Sequence, residues 1–136
     1  MLNDITTDLA DPPDFALAAG GPPAFDARTI AEHAREYPDL APLLLPSVPV
    51  AEAYRRVFAS VQDHGWKVRA TDAALGRVEA VATTNILRFR DDIAIRIRAD
   101  GDGSRIDMRS RSRLGKSDFG TNARRIHAFL KAVAAA

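Results

Sequence analysis

The stretch Leu87–Leu114, LRFRDDIAIRIRADGDGSRIDMRSRSRL, decides the fold of this chain. Apolar and charged residues alternate on both sides of the DGDG segment at 100–103. Successive side chains of a β-strand point to opposite faces, so this alternation is typical of half-buried strands. Asp-Gly pairs between two alternating runs favour a tight hairpin. The stretch therefore predicts two long antiparallel strands with one apolar face and one charged face.

The two faces of this hairpin differ in composition. We expect one face to contain Leu87, Phe89, Ile93, Ile95, Ile97, Ile106, Met108 and Leu114, together with Ser110 and Ser112. The opposite face contains eight arginines and no lysine: Arg88, Arg90, Arg96, Arg98, Arg105, Arg109, Arg111 and Arg113. Asp91 falls on the apolar face, where a carboxylate requires a partner or a bulge.

Amphipathic helices are predicted before and after the strands. Apolar residues between Val50 and Val61 follow a helical spacing and form one continuous stripe. A second helix is predicted at the C-terminus, with Asp118 or Ser117 as its N-cap. Its buried stripe is predicted to contain Phe119, Ala123, Ile126, Phe129, Leu130 and Val133. Shorter strands are predicted at about 42–45, 66–71 and 77–84.

These elements predict an α+β fold of two layers, in which helices cover one face of an antiparallel sheet of four or five strands. The predicted order is β-α-β-β-β-β-α, and the long C-terminal helix suggests a helix-grip-like arrangement. All eight prolines lie within the first 49 residues. We therefore expect residues 1–41 to form a proline-rich extended arm with a short helix at about 27–36, and residues 42–136 to form the α+β domain.

Charge is distributed unevenly along the chain. Residues 1–60 contain 4 basic and 9 acidic side chains, whereas residues 61–136 contain 15 basic and 9 acidic ones. One interpretation is that the acidic front half packs against the basic back half. The alternative is that the basic half binds an anionic partner.

Several function classes lack their signatures. Cysteine is absent, which excludes disulfides and thiolate metal sites. The three histidines have no neighbouring ligand at metal spacing, and no phosphate loop or dinucleotide fingerprint occurs, so no metal or other cofactor is predicted. No apolar run of about 18 residues occurs, so no membrane span is predicted in this chain. The charged face lacks the interleaved aromatics of single-strand platforms, which argues against nucleic acid as a partner.

The segment RSRSRLGKSDFGTNARRI at 109–126 joins the end of a strand to the start of a helix. A helix N-terminus attracts anions through its free N–H groups and dipole, and Lys116 lies beside this one. One hypothesis is therefore a bound anion. The alternative is that Asp118 caps the helix, while Arg124 and Arg125 pair with Asp118 or with acids of the sheet.

Asp91 and Asp92 form a candidate for catalysis. Adjacent strand residues point to opposite faces, so the two carboxylates converge only where a turn or bulge intervenes. An enzyme would need Asp91, Asp92 or Asp118 within about 5–10 Å of one another and close to arginines.

Five segments carry a resemblance to a known family: ITTDLADPPDF at 5–15, YPDLAPL at 37–43, GRVEAVATT at 76–84, LRFRDDIAIRIR at 87–98, and GSRIDMRSRSRLGKSDFGTNARRI at 103–126. Together they resemble the bacterial and plastid domain-of-unknown-function family 1499, over nearly the whole chain. The family has no assigned activity. In many members the segment resembling ITTDLADPPDF follows membrane helices. The resemblance therefore implies either a soluble member or the soluble part of a membrane-anchored envelope protein, and its motif adds Ser110, Ser112 and Gly115 as positions of interest.

We expect a non-enzymatic, envelope-associated binding or accessory module that recognises an anionic small molecule, a lipid headgroup or an acidic protein segment. The alternatives are an enzyme of unknown reaction and a structural protein-interaction domain. The candidate ligand-binding residues are Arg88, Arg90, Asp91, Asp92, Arg96, Arg98, Arg109, Arg111, Arg113, Lys116, Ser117, Asp118, Asn122, Arg124 and Arg125.

Overall fold

The structure is a computed structural model that describes residues 2–15, 25–115 and 117–136. Its elements in chain order are β1 (Asp4–Thr6), α1 (Ala27–Glu36), β2 (Leu43–Leu45), α2 (Val50–Asp63), β3 (Lys67–Asp72), β4 (Arg77–Thr83), β5 (Arg90–Asp100), β6 (Gly103–Ser112) and α3 (Thr121–Ala135). The fold is α+β, with helices on one side of an open antiparallel sheet, as predicted. The sheet has six strands, one more than the upper end of the prediction.

The extra strand is β1, which lies within the arm. The sheet order is β1-β6-β5-β4-β3, and β2 also pairs with β6. β1 pairs with residues 109–111 and β2 with residues 104–106, so the two short strands share one edge of β6. The first residues of the chain are therefore part of the same sheet as the long hairpin.

The hairpin of β5 and β6 follows the alternation of its sequence. The two strands pair from Asp91↔Ser112 to Asp100↔Gly103, and the turn lies at 101–102. The odd-numbered isoleucines of β5 are buried with Ile106 and Met108 of β6. The apolar stripes of α2 and α3 cover them, with Val57, Val61, Ile126 and Phe129 all fully buried in the core.

The alternation predicts burial wrongly beyond the ends of these strands. Leu87, Phe89 and Leu114 are 67%, 46% and 72% exposed, although the pattern places them on the apolar face. The β5–β6 ladder spans only residues 91–112. Outside this ladder, alternate residues no longer lie on opposite faces of a sheet. Phe119, predicted to be in the buried stripe of α3, is 86% exposed.

The start of α3 also differs from the prediction. The helix begins at Thr121 and its N-cap is Gly120, in the left-handed region, rather than Asp118 or Ser117. Phe119 therefore lies in the turn before the helix and not on its buried face. None of the helices in the described ranges combines the length and the apolar composition needed to cross a bilayer.

Candidate functional site

The arginine-rich face of the sheet is covered by the N-terminal segment, residues 2–15. Asp8 accepts hydrogen bonds at a single carboxylate oxygen, Oδ2, from Arg96 (3.2 Å), Arg98 (3.5 Å) and Arg105 (3.1 Å). Asp11 adds a more exposed carboxylate 3.5 Å from Arg96 and 3.8 Å from Arg98. The interpretation that the acidic front half packs against the basic back half is confirmed here.

Asp107 of β6 lies fully buried beneath the same arginines. Its Oδ2 accepts a hydrogen bond from Arg105 Nε (2.8 Å), and its Oδ1 accepts one from the hydroxyl of Thr7 (2.7 Å). The hydrogen bond to Asp107 raises the pKa of Arg105 above its ordinary value. Asp107 therefore links the arginines to the segment that covers them.

Arg109 is the most completely enclosed arginine of this face. Its Nε and Nη2 donate to the two carboxylate oxygens of Asp4 at 2.9 and 2.7 Å, and Nη1 donates to the carbonyl oxygen of Pro13. The rings of Phe15 and Phe25 lie 5.5 and 4.5 Å from its guanidinium carbon. Such a guanidinium is a structural element of the fold and offers no open face to a ligand.

The remaining arginines of the face fall into two classes. Arg113 binds Asp92 on the neighbouring strand at 2.8 Å, so Asp92 points away from the helices. Among the described residues, Arg88, Arg90 and Arg111 make no ion pair. Lys116 lies outside the described residues.

A buried polar network joins α3 to the other face of the sheet. Arg125 donates to Asp91 at 2.7 Å, to the hydroxyl of Ser110 at 3.2 Å and to Asn122 Oδ1 at 2.9 Å. Asn122 accepts a further hydrogen bond from Ser110 and donates to Ser112 at 2.9 Å. Arg125 is therefore the partner that the carboxylate of Asp91 requires. Of the two partners considered for this helix arginine, Asp118 or an acid of the sheet, the structure shows the second.

Asp118 occupies the N-terminus of α3. Its Oδ1 accepts a hydrogen bond from the backbone N–H of Gly120, and its Oδ2 accepts from both the backbone and the side chain of Asn122. Ser117 Oγ accepts from the backbone N–H of Phe119. A carboxylate from the chain thus fills the place where an external anion was expected, as in the capping alternative, although Asp118 is not the N-cap residue.

The carboxylates proposed for catalysis either lie on opposite faces of the sheet or are bound by hydrogen-bond donors of the chain. Asp91 points to the helical side of the sheet and Asp92 to the opposite side, since they are adjacent on β5 without an intervening bulge. Asp91 and Asp118 line the same groove, but the first is bound by Arg125 and the second by backbone and amide N–H groups. Both carboxylates therefore already have hydrogen-bond donors within the chain.

That groove lies at one end of the sheet and has a volume of ≈ 710 Å³. It lies between two loops, residues 84–90 on one side and residues 113–115 and 117–120 on the other. Its walls contain the exposed apolar side chains of Ile86, Leu87, Phe89, Leu114 and Phe119, and its polar lining contains Thr84, Asn85, Asp91, Ser112, Ser117, Asp118 and Thr121. The sequence pattern missed this site because it placed four of the five apolar residues in the core.

Hydrogen bonds fix both loops. Thr84 and Phe89 bond to each other twice, at 2.8 Å through backbone N–H and carbonyl and at 2.8 Å through the Thr84 hydroxyl. The second loop is held by Asn3, whose side chain donates to the carbonyl of Gly115, and by the N–H of Asp118, which donates to the carbonyl of Leu2. The exposed apolar side chains are therefore presented by ordered backbone.

Two non-glycine residues with positive φ lie on these loops. Arg88 has a φ of 58° and Phe119 a φ of 53°. The left-handed region is unfavourable for a bulky side chain, by about 1–2 kcal/mol. Phe119 therefore combines an unfavourable backbone conformation with almost complete exposure of an aromatic ring.

The histidines do not converge on a metal site, and the described residues contain no cluster of three or more metal-ligating side chains. His33 is buried, and its Nε2 accepts a hydrogen bond from the N–H of Thr6 at 3.0 Å. Burial lowers the pKa of His33 below its ordinary value, although the nearby Asp4 opposes this shift. A neutral imidazole thus helps to hold β1 in place.

Comparison with known proteins gives the family and no activity. No curated protein matches this chain. A family described as protein of unknown function, DUF1499, matches residues 4–133, which include every described strand and nearly all of α3. This chain therefore belongs to the DUF1499 family.

Proposed function

We propose that this chain is a non-enzymatic binding module that holds an anionic amphiphile in the groove between residues 84–90 and the described residues of the second loop, 113–115 and 117–120. The observation that carries the proposal is the clustering of exposed apolar residues. Seven large hydrophobic side chains are exposed among the described residues, and five of them line this one groove. Concentrated apolar exposure on a soluble surface is typical of a binding site.

The charge of the surrounding side chains supports an anionic ligand. Arg88 and Arg90 alternate with the apolar residues of the first loop and make no ion pair within the described ranges. Arg124 is exposed beside the second loop, where it donates to the carbonyl of Phe119 and to the hydroxyl of Thr121. These guanidiniums suit a phosphate or carboxylate headgroup, while the groove suits an alkyl chain.

Ion pairs within the chain argue against the arginine-rich face as the site of the proposed ligand. Arg96, Arg98 and Arg109 are engaged by carboxylates of the N-terminal segment, and a ligand there would have to displace Asp4 and Asp8. Ligand binding by these arginines stays a prediction, and the ion pairs count against it. Envelope association also stays a prediction.

The state of the carboxylates supports a binding role over catalysis. Asp91 and Asp118 are both engaged by hydrogen-bond donors, and Asp92 lies on the far side of the sheet. A general acid or base needs a carboxyl group that exchanges its proton with the substrate. Neither groove carboxylate is arranged for such an exchange.

Calorimetric titration with monomeric dodecyl phosphate tests the proposal, with the uncharged dodecyl maltoside as the comparison. We expect saturable binding of the phosphate and weaker binding of the maltoside. Leu87→Asn and Phe119→Asn should each weaken binding about ten-fold or more, because each removes apolar contact area from the groove.

Leu75→Asn is the matched control, since Leu75 is 58% exposed but lies in the β3–β4 turn outside the groove. It should leave the affinity unchanged. Absence of saturable binding, or equal losses in the groove variants and the control, would overturn the proposal.

A further inference from the structure

We infer that the two loops of the groove dock this chain on an anionic phospholipid membrane, with Ile86 and Phe119 entering the boundary between headgroups and acyl chains. The inference rests on the proposed function, because it names the bilayer as the source of the amphiphile. Four observations carry it: the protrusion of the apolar side chains, their flanking charges, the opposite charge of the turns at the far end of the sheet, and the backbone of the loops.

The apolar side chains protrude from the surface. Ile86 is 91% exposed and Phe119 86%, and Leu114 and Leu87 are 72% and 67% exposed. The four come from two separate loops that meet at one end of the sheet. Side chains that extend this far into solvent can enter a bilayer interface together without any rearrangement of the core.

Cations alternate directly with these apolar residues. The first loop reads Ile86-Leu87-Arg88-Phe89-Arg90, and Arg124 lies beside the turn that presents Phe119. Arginine stems extend along apolar surface while the guanidinium stays at the headgroup level. Alternation of apolar and cationic side chains suits the boundary of an anionic bilayer, where the apolar groups enter the membrane and the cations meet the headgroups.

The loops of the groove and the turns at the far end of the sheet carry opposite charges. The groove end presents Arg88, Arg90 and Arg124. The turns at the opposite end present Asp72, Asp100 and Asp102, and none of these three makes an ion pair within the described ranges. An anionic surface attracts the first end and repels the second, so it orients the domain with the groove facing the bilayer.

The backbone of the loops supports the same role. Arg88 and Phe119 have positive φ values although neither is glycine, and both loops are held by internal hydrogen bonds. Unfavourable backbone conformations in fixed loops concentrate at functional sites. Here they place one cation and one aromatic ring where both contact a membrane.

Co-sedimentation with vesicles tests the inference. The purified chain is mixed with vesicles of equal parts phosphatidylglycerol and phosphatidylcholine, or of phosphatidylcholine alone, at low and high salt. We expect binding to the anionic vesicles, little binding to the zwitterionic ones, and weaker binding at high salt because salt screens the arginines. Equal binding to both vesicle types, or none to either, would overturn the inference.

Variants separate the charged from the apolar contribution. Arg88→Asn combined with Arg90→Gln should lower the partition coefficient about 25-fold at low salt, at about five-fold for each arginine. Ile86→Asn should lower it at both salt concentrations. The controls are Arg69→Gln, an exposed arginine of β3 without an ion pair among the described residues, and Leu75→Asn. Losses in the controls as large as those in the loop variants would contradict docking through these loops.

The two proposals fail separately. Saturable binding of dodecyl phosphate without vesicle binding would overturn membrane docking and leave the groove as a site for a soluble amphiphile. Vesicle binding without saturable binding of the monomer would support docking and overturn the groove as a ligand site.

Discussion

Asp4→Ala is expected to destabilise this fold much more than Asp92→Ala, although each change removes the carboxylate partner of one arginine on the same sheet face. Arg109 binds both oxygens of Asp4 at 2.9 and 2.7 Å, and Arg113 binds both oxygens of Asp92 at 2.8–3.1 Å. The pairs differ in burial. Asp4 and Arg109 are 16% and 4% exposed in their side chains, whereas Asp92 and Arg113 are 26% and 35% exposed.

Burial sets the magnitude. Removal of one partner from a buried ion pair costs about 3–5 kcal/mol, because the remaining charge stays desolvated. Arg109 keeps its hydrogen bond to Pro13 and its contacts with two aromatic rings, so we expect the lower limit, about 3 kcal/mol, for Asp4→Ala. Solvent screens the more exposed pair, and Asp92→Ala should cost about 1 kcal/mol or less.

Urea unfolding followed by circular dichroism measures both losses, and a loss of about 3 kcal/mol corresponds to a decrease of about 10 °C in Tm. Asp4→Ala combined with Arg109→Met removes both charges and leaves an apolar stem between the rings. This double variant should be at least about 1 kcal/mol more stable than Asp4→Ala alone. Losses for Asp4→Ala and Asp92→Ala that agree within about 0.5 kcal/mol would refute the argument from burial.

Three further changes test other parts of the structure. The pKa of His33 is lowered in the folded state, so the unfolded chain takes up its proton first; stability should be full above about pH 6.5 and should fall as the pH drops below that value. Urea unfolding at about pH 7 and about pH 5 measures this loss of stability. The native chain and the His127→Gln variant, which changes an exposed histidine, should both show it, whereas the His33→Gln variant should show a smaller loss. Phe119→Asn should raise Tm by about 2–4 °C in calorimetry, because asparagine tolerates the left-handed region better than phenylalanine; a lower Tm would contradict the strain at this position. Gly103→Ala should cost roughly 1–3 kcal/mol in urea unfolding, since a Cβ there would lie 2.5 Å from the carbonyl oxygen of Leu45 in β2, and a neutral effect would contradict this steric argument.

Local periodicity was sufficient to predict the centre of the fold. The short helix expected at about 27–36 is α1 at Ala27–Glu36, and the stripe from Val50 to Val61 lies on the buried face of α2. The predicted assignment of residues to the two faces of the hairpin is also confirmed between residues 91 and 112. In these segments the repeat of the sequence matches the repeat of the backbone, so neighbours in sequence are enough to determine which face packs in the apolar core between sheet and helices.

Prediction failed where the structure depends on residues distant in sequence. β1 has three residues and no pattern of its own, and it is a strand only because residues 109–111 lie beside it. The alternation continues through Leu87, Phe89 and Leu114 although the ladder has ended, so it predicts burial for three apolar residues that line the groove. The excess of acidic side chains in residues 1–60 was the one feature of the sequence that indicated a segment packed over the arginines.

The same long-range pairing determines how the groove forms. Ser112 donates its N–H to the carbonyl of Asn3, and Asn3 reaches Gly115 across a separation of 112 residues. One wall of the groove is thus fastened to the second and third residues of the chain. Closing so long a loop carries an entropic cost. The groove is therefore complete only when residues 2 and 3 lie beside the end of β6, and their detachment would loosen the wall that presents Leu114 and Phe119.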